Sequence, residues 1–260
     1  MLIAVTREVS PAISRCELTH AARVPIDAGL ARAQHRAYER ALEDAGCTIV
    51  RVEAAPDLPD SVFVEDIAIV LDELAIIARP GAPSRRAETA GVGQVVGGYR
   101  RLHAIQAPGT LDGGDVLVIG RRIFVGHSSR TNQAAITQMT DLVAPYGYRV
   151  RPVRVTGCLH LKSAVTALAD NRLLINRQWL EEQAFDDVEL VDVDPLEPAA
   201  ANVVRVGDEL VYPASFPRTR ARLEARGLRV RTVDVGEIAK AEGAVTCCSL
   251  IFRRNSGSEA

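Results

Sequence analysis

Val116-Leu117-Val118-Ile119-Gly120-Arg121-Arg122-Ile123-Phe124-Val125 is two short apolar runs about a glycine-led polar turn, the pattern of a β-hairpin. The same pattern recurs on both sides of it. One copy is Ile67-Ala68-Ile69-Val70, turn Leu71-Asp72-Glu73, Leu74-Ala75-Ile76-Ile77. Another is Ala164-Val165-Thr166-Ala167-Leu168, turn Ala169-Asp170-Asn171-Arg172, Leu173-Leu174-Ile175. A further copy is Asn202-Val203-Val204-Arg205-Val206, turn Gly207-Asp208-Glu209, Leu210-Val211-Tyr212. Hairpins spaced by roughly 40 to 50 residues are the mark of a repeat architecture.

Helical stretches follow the hairpins over residues 131–145, 177–184 and 217–226, the last before Gly227, a residue suited to ending a helix. They lead into further β-rich runs such as Tyr148-Arg149-Val150-Arg151 and Leu228-Arg229-Val230-Arg231-Thr232-Val233. The repeating unit is therefore strand, turn, strand, helix, strand. A fifth unit is divided between the ends of the chain. Leu250-Ile251-Phe252 supplies its first strand, Leu2-Ile3-Ala4-Val5 its second, residues 29–45 its helix and Cys47-Thr48-Ile49-Val50-Arg51-Val52 its third strand. Joining both termini in one unit closes a ring and leaves only short sheet edges. The expected fold is a single-domain five-bladed α/β propeller of five pseudo-symmetric ββαβ units spanning 1–260, the fifth split between the termini. A doubly wound parallel sheet is the competing α/β architecture, but its strands alternate singly with helices and do not arrive as hairpins.

Composition limits the function. A chain of 260 residues that is 47% hydrophobic can bury a sizeable core, and a formal net charge of −2 gives no basis for binding nucleic acid or an anionic membrane. The N-terminal apolar run is too short for a signal peptide, and no stretch has the length of a membrane span, so a cytoplasmic protein is expected. Five cysteines, Cys16, Cys47, Cys158, Cys247 and Cys248, are odd in number and irregular in spacing, which argues against a disulfide framework or a zinc site.

Polar residues that an ordinary core strand would not carry recur just before the first strand of successive units. They are Asp60 with Glu65-Asp66, then Asp112-Gly113-Gly114-Asp115, then His160-Leu161-Lys162-Ser163, and then Thr246-Cys247. In a closed ring equivalent positions converge on the axis, so carboxylates, imidazole and thiol are expected in one pocket. Alone, each has a plainer explanation: Asp-Gly is a common turn pair, a histidine is as often structural as catalytic, and a cysteine is more often core than nucleophile. Their shared place in the repeat decides for function. Cys247 and Cys248, taken as neighbours on extended chain, would point to opposite faces, leaving one nucleophile and one core residue. His20, His35, His103 and His127, with Cys16, Cys47 and Cys158, have no such placement and are expected to be structural. Arg85 and Arg130 lie in loops beyond consecutive hairpins, a placement suited to clamping a carboxylate.

Taken together, Asp60-Ser61-Val62-Phe63-Val64-Glu65-Asp66, Arg79-Pro80-Gly81-Ala82-Pro83-Ser84-Arg85-Arg86, Thr110-Leu111-Asp112-Gly113-Gly114-Asp115-Val116-Leu117, Arg130-Thr131-Asn132, Leu159-His160-Leu161-Lys162-Ser163 and Thr246-Cys247-Cys248-Ser249 resemble the dimethylarginine dimethylaminohydrolases, guanidine-modifying enzymes of the pentein superfamily. The resemblance implies a five-bladed propeller and hydrolysis of N-omega-methylated arginines (asymmetric dimethylarginine, monomethylarginine) to citrulline and a methylamine through a covalent S-alkylthiouronium on cysteine. By the same resemblance Cys247 is the nucleophile, His160 the general acid and base, and Asp112 the acid that orients the histidine. Asp66, Glu65 and Asp60 match substrate-binding carboxylates, and Arg85 and Arg130 match the arginines that hold the amino-acid end. Leu18 matches a residue of a lid over 14–26, and Ala241 stands where a backbone contact is expected. No metal or organic cofactor is implied, the substrate is a small molecule, and the protein would be a monomer or homodimer.

Three alternatives differ from this reading. Arginine deiminases carry Asp two residues after their histidine, where this chain has Lys162, and a helical insertion for which 260 residues leave no room. Amidinotransferases are usually longer. A non-catalytic propeller that binds a partner would not need Cys247, His160 and Asp112 together.

Overall fold

The computed structural model describes residues 1–255. Among the described residues fifteen strands form five three-stranded sheets. In each sheet the first two strands of a unit pair antiparallel and the third adds in parallel to the second. The opening hairpin is Val116–Ile119 paired with Arg122–His127, in register Val116↔Val125 and Ile119↔Arg122. Gly120 at its turn takes φ 57°, which a residue with a Cβ resists. The other units are Ala68–Val70, Leu74–Ile77 and Arg101–Ala104; Val165–Ala169, Arg172–Ile175 and Glu189–Asp192; Val204–Val206, Glu209–Pro213 and Arg229–Val233.

The split unit forms as expected. Leu250–Arg253 pairs antiparallel with Leu2–Arg7 (Val5↔Leu250, Leu2↔Arg253), and Cys47–Val52 adds in parallel (Leu2↔Cys47). Residues of all five first strands, among them Ile69, Leu117, Thr166, Arg205 and Ile251, line one axial cavity of about 340 Å³. The first strands thus surround a common axis.

Helices pack outside the sheets. The helix Ala28–Asp44 begins at Asp27, whose carboxylate accepts the N–H groups of Gly29 (2.8 Å) and Leu30 (3.0 Å). It buries Ala31, Tyr38 and Leu42 against Ala4, Val211 and Val233. Burying a side chain the size of Leu42 contributes about 2 kcal/mol. Gln133–Val143 starts two residues later than residue 131, because Asn132 caps it by accepting the N–H of Ala135 at 3.0 Å.

The expected helix over 177–184 is absent. Two separate turns of 3-10 helix, Arg177–Trp179 and Glu182–Phe185, take its place. Buried Leu180 between them is drawn into an extended conformation by a β-bridge with Val155, which no helix can pass through. Among the described residues no helix is long and apolar enough to cross a membrane.

Candidate active site

The residues singled out by their place in the repeat stand on short helical turns that lead into the first strands. These turns are Val64–Ile67, Gly113–Asp115, Leu161–Ala164 and Thr246–Cys248. A turn at the head of each strand presents its side chains to the axis on a rigid support. The fourth unit contributes Asn202, whose Nδ2 donates to Thr246 Oγ1 (2.9 Å) and to the Lys162 carbonyl (3.0 Å) while its Oδ1 accepts from Thr246 N (3.0 Å). It ties the turn of Cys247 to the turn of His160.

Twelve residues close a narrow pocket on this side of the ring, among them Asp60, Asp66, Arg85, Arg130, His160 and Cys247. Ala241 lines it too. Its free volume is about 20 Å³, room for one water-sized group. His160 is buried, with Nε2 3.0 Å from Asp112 Oδ2 and Nδ1 3.7 Å from Asp66 Oδ1. Burial opposes its charged form, but Asp66, the hydrogen bond to Asp112, and Asp115 outweigh burial and push His160 up to about 9. At neutral pH it is an imidazolium, poised to give up a proton.

Glycine makes this approach possible. A Cβ on Gly114 would lie 2.6 Å from His160 Nδ1 and 2.7 Å from Asp66 Oδ1, so any side chain there would force the acid and the imidazole apart. The Gly114 N–H also donates to Asp66 Oδ1 at 3.0 Å. Asp112 is fully buried and accepts the Gly81 N–H at 2.8 Å, which fixes the carboxylate against the ring. Asp115 accepts from Ser128 Oγ (2.6 Å), Thr131 Oγ1 (2.7 Å) and Leu161 N (2.9 Å), pinning the turn that follows His160.

The two thiols differ sharply. Cys247 is partly exposed and accepts a hydrogen bond from Ala244 N at 3.4 Å. Cys248 is fully buried in the apolar cluster that holds Tyr38, Val62 and Val245. They stand on a 3-10 turn, not on extended chain, so the division rests on the angular step between neighbours of a helical turn. Desolvation, then the charges of Asp66 and Glu65, push the Cys247 thiol up to about 12. It is protonated at neutral pH until something positive joins it.

The same angular step separates Glu65 from Asp66. Asp66 faces the pocket, where Arg85 Nη1 meets its Oδ2 at 2.6 Å. Burial would raise Asp66, but His160 and Arg85 reverse this and hold it below the ordinary carboxylate range. Glu65 does not line the pocket. It faces the axial cavity on the other side, where Lys162 Nζ meets its Oε1 at 2.6 Å.

Arg85 is buried and also meets Glu88 at 2.9 Å, so its guanidinium is committed to two carboxylates. Arg130 donates to Thr19 Oγ1 at 2.9 Å and lies 3.9 Å from Asp112. Asp60 accepts the Glu17 N–H at 3.1 Å. Leu18 is half-buried and packs on the apolar cluster under the 14–26 segment, outside the pocket lining.

Asp66, Asp112 and His160 offer ligand atoms within 4.8 Å of one another, a spacing that could suit a cation. In this structure Arg85 balances Asp66, and the His160 imidazole is bonded to Asp112. Asp115 and Asn202 receive no individual role from the sequence pattern. Their signal was the same position before a first strand.

The family model "N,N dimethylarginine dimethylhydrolase, eukaryotic" matches residues 21–253. An N(G),N(G)-dimethylarginine dimethylaminohydrolase of Streptomyces coelicolor is 42% identical over 260 residues, 96% of each chain. The structure of a cysteine-to-serine variant of the Pseudomonas aeruginosa enzyme complexed with citrulline superposes with TM-score 0.90 at 34% identity, covering 96% of this chain and 98% of that one. A dimethylarginine dimethylaminohydrolase histidine-to-glycine variant, an adduct with S-methyl-L-thiocitrulline, also superposes with TM-score 0.90, at 33% identity over 97% of this chain and 100% of that one.

Proposed function

The chain belongs to the dimethylarginine dimethylaminohydrolase family, and we propose that it hydrolyses N-omega-methylated arginines to citrulline and a methylamine, with Cys247 as nucleophile and His160 as acid and base. The observation that carries this is the meeting of Cys247, His160 and Asp66 in one narrow pocket, each on or at the head of a turn from a different unit.

A guanidinium is a poor electrophile because its charge is spread over three nitrogens, so orientation and charge stabilisation must supply most of the catalysis. Asp66 receives the guanidinium and sets its carbon against Cys247 Sγ. The same positive charge offsets Asp66 and Glu65, which hold the thiol protonated, so substrate binding promotes the thiolate and releases its proton. Sulfur attack forms the C–S bond. His160, carrying a proton at neutral pH, delivers it to the departing amine as the C–N bond breaks. This leaves an S-alkylthiouronium and a neutral imidazole. The imidazole takes a proton from water and the new hydroxide adds to the carbon; the C–S bond then breaks as the hydroxyl proton passes to the departing sulfur, which forms the citrulline carbonyl and restores the Cys247 thiol. Asp112 holds the imidazole in place through both steps.

On this reading residues 1–260 act as one catalytic propeller domain in the cytoplasm, without a metal or organic cofactor. Arg130 takes the amino-acid end of the substrate, with Asp60, Leu18 and Ala241 about it, while Arg85, expected from the sequence to share that role, is held by Asp66 and Glu88 and positions Asp66. Citrulline release from asymmetric dimethylarginine, monomethylarginine and arginine, assayed in parallel, tests the proposal. Release from the methylated substrates is expected to exceed release from arginine; turnover of arginine alone would assign a deiminase.

A further inference from the structure

Glu242 is the one non-glycine residue with positive φ among the described residues, at φ 57°. It lines the reaction pocket together with its neighbours Ala241 and Gly243. Glycine would occupy this backbone without resistance, and glutamate differs from glycine here in offering a carboxylate. That carboxylate accepts the N–H groups of three successive residues: Thr19 on Oε2 at 2.8 Å, and His20 and Ala21 on Oε1. Successive N–H groups converging on one charged acceptor make a strong local tie.

The segment so held lies between the turn Ile13–Arg15 and the helix Ala28–Asp44 and has neither helix nor strand of its own over residues 16–27. It is largely exposed, and little apolar burial fixes it. Its other ties across the mouth are the Glu17 N–H on Asp60, Ser84 Oγ on Glu17 and Arg130 on Thr19 Oγ1. From the stretch that leads into the Cys247 turn, Glu237 accepts the Asp27 N–H at 2.8 Å at the far end of the segment, and Glu242 holds residues 19–21 over the pocket. With Glu17 at its rim, the pocket has room for one water-sized group, so an arginine-sized ligand enters when this segment moves.

We propose that Glu242 is the latch of the 16–27 segment, a positioning residue whose carboxylate holds residues 19–21 closed over the pocket and thereby sets how tightly substrate is retained. Its oxygens are spent on the three N–H groups, so it acts on substrate through the segment. The kinetic part of this inference rests on the proposed hydrolysis; the structural part does not.

The test pairs amide hydrogen exchange across residues 16–23 with steady-state citrulline release from asymmetric dimethylarginine, in wild type, Glu242→Gln, Glu242→Ala and Glu242→Gly. Glu242→Ala is expected to speed exchange of the 19–21 amides about tenfold and raise KM about tenfold, with kcat changed by less than about threefold, because apparent binding weakens in proportion to the lost closed population. Glu242→Gln keeps one acceptor oxygen and should fall between. Glu242→Gly relieves the backbone but lacks the carboxylate, so it should match the alanine variant in exchange and KM while melting no lower. If the alanine variant does not fold, the glutamine and glycine variants decide. Wild-type exchange and KM in the glycine variant would overturn the latch, as would a fall in kcat with both unchanged. If wild type releases no citrulline from any methylated arginine, the proposed hydrolysis falls, and the exchange data still decide the latch.

Discussion

The two ends of the ring axis have opposite characters. At one end a pocket of about 20 Å³ gathers Asp60, Asp66, Arg85, Arg130, His160 and Cys247 under a strapped segment. At the other a cavity of about 340 Å³ is walled mostly by first-strand apolar residues and carries the ion pair of Glu65 and Lys162. Size alone would choose the second, since a roomy cavity is the usual place to look for a ligand. Chemistry chooses the first. There the surroundings push His160 up to about 9 and Cys247 up to about 12, shifts with the signs that acid catalysis and a substrate-activated thiol require. The difference teaches that adjacent residues of one turn serve both ends: Asp66 works in the pocket, and Glu65 closes the cavity behind it.

The largest expected effect breaks the narrow end alone. Cys247→Ser and His160→Ala should each lower citrulline release by about 10⁴-fold with the melting temperature kept within a few degrees, since each removes a group on which both bond changes depend. Comparable activity in either variant would remove the contrast between the ends.

Next comes the wide end. Lys162→Met strands the Glu65 carboxylate in a buried place and should cost about 3 kcal/mol of folding stability by denaturant titration, with kcat changed less than about tenfold. Adding Glu65→Gln to it should restore most of that loss. A kcat collapse in Lys162→Met with stability intact would place the pair in the chemistry instead.

A similar size of effect follows from pH. His160 is raised from its ordinary 6.5 to about 9, so its folded-state preference for the proton contributes about 3 kcal/mol. The sign is that of a raised group: the contribution is fully present below 6.5 and lost as pH climbs through about 9. Denaturant midpoints of wild type minus those of His160→Gln should fall between about pH 6 and about pH 10. A difference that rises with pH would contradict the carboxylate cage.

The smallest effect sharpens the contrast within one turn. Cys248→Ser buries a hydroxyl in an apolar cluster and should cost about 1–2 kcal/mol of stability while keeping most activity. Loss of turnover with the fold intact would exchange the roles of the thiols.

Much of the fold was legible because the hairpin strands are short, rich in β-branched residues and bounded by polar turns, as in Val116–Ile119 and Leu74–Ile77. The outer strands were harder. Arg101–Ala104 is mostly exposed and Glu189–Asp192 half so, and each is half polar, so their composition gives a weak strand signal, and parallel pairing to a buried neighbour makes them strands. The 177–184 stretch misled because Leu180 answers to a distant partner, Val155. Within the site, shared position in the repeat was enough to bring His160, Asp112, Asp66 and Cys247 together. It could not say that Glu65 turns away from Asp66, nor that Glu88 holds Arg85, because both depend on side-chain direction within a helical turn. Glu242 carried no pattern at all: its role comes from a left-handed backbone and from residues far earlier in the chain.

The central claim is that Cys247 bonds the substrate carbon. Wild-type enzyme mixed with asymmetric dimethylarginine, quenched in acid during turnover and mapped by peptide mass spectrometry, tests it directly. A thiouronium adduct is expected on the peptide of residues 241–253, placed on Cys247 by fragmentation and absent in Cys247→Ser. An adduct on Cys248, or steady citrulline release from the Cys247→Ser variant, would contradict it.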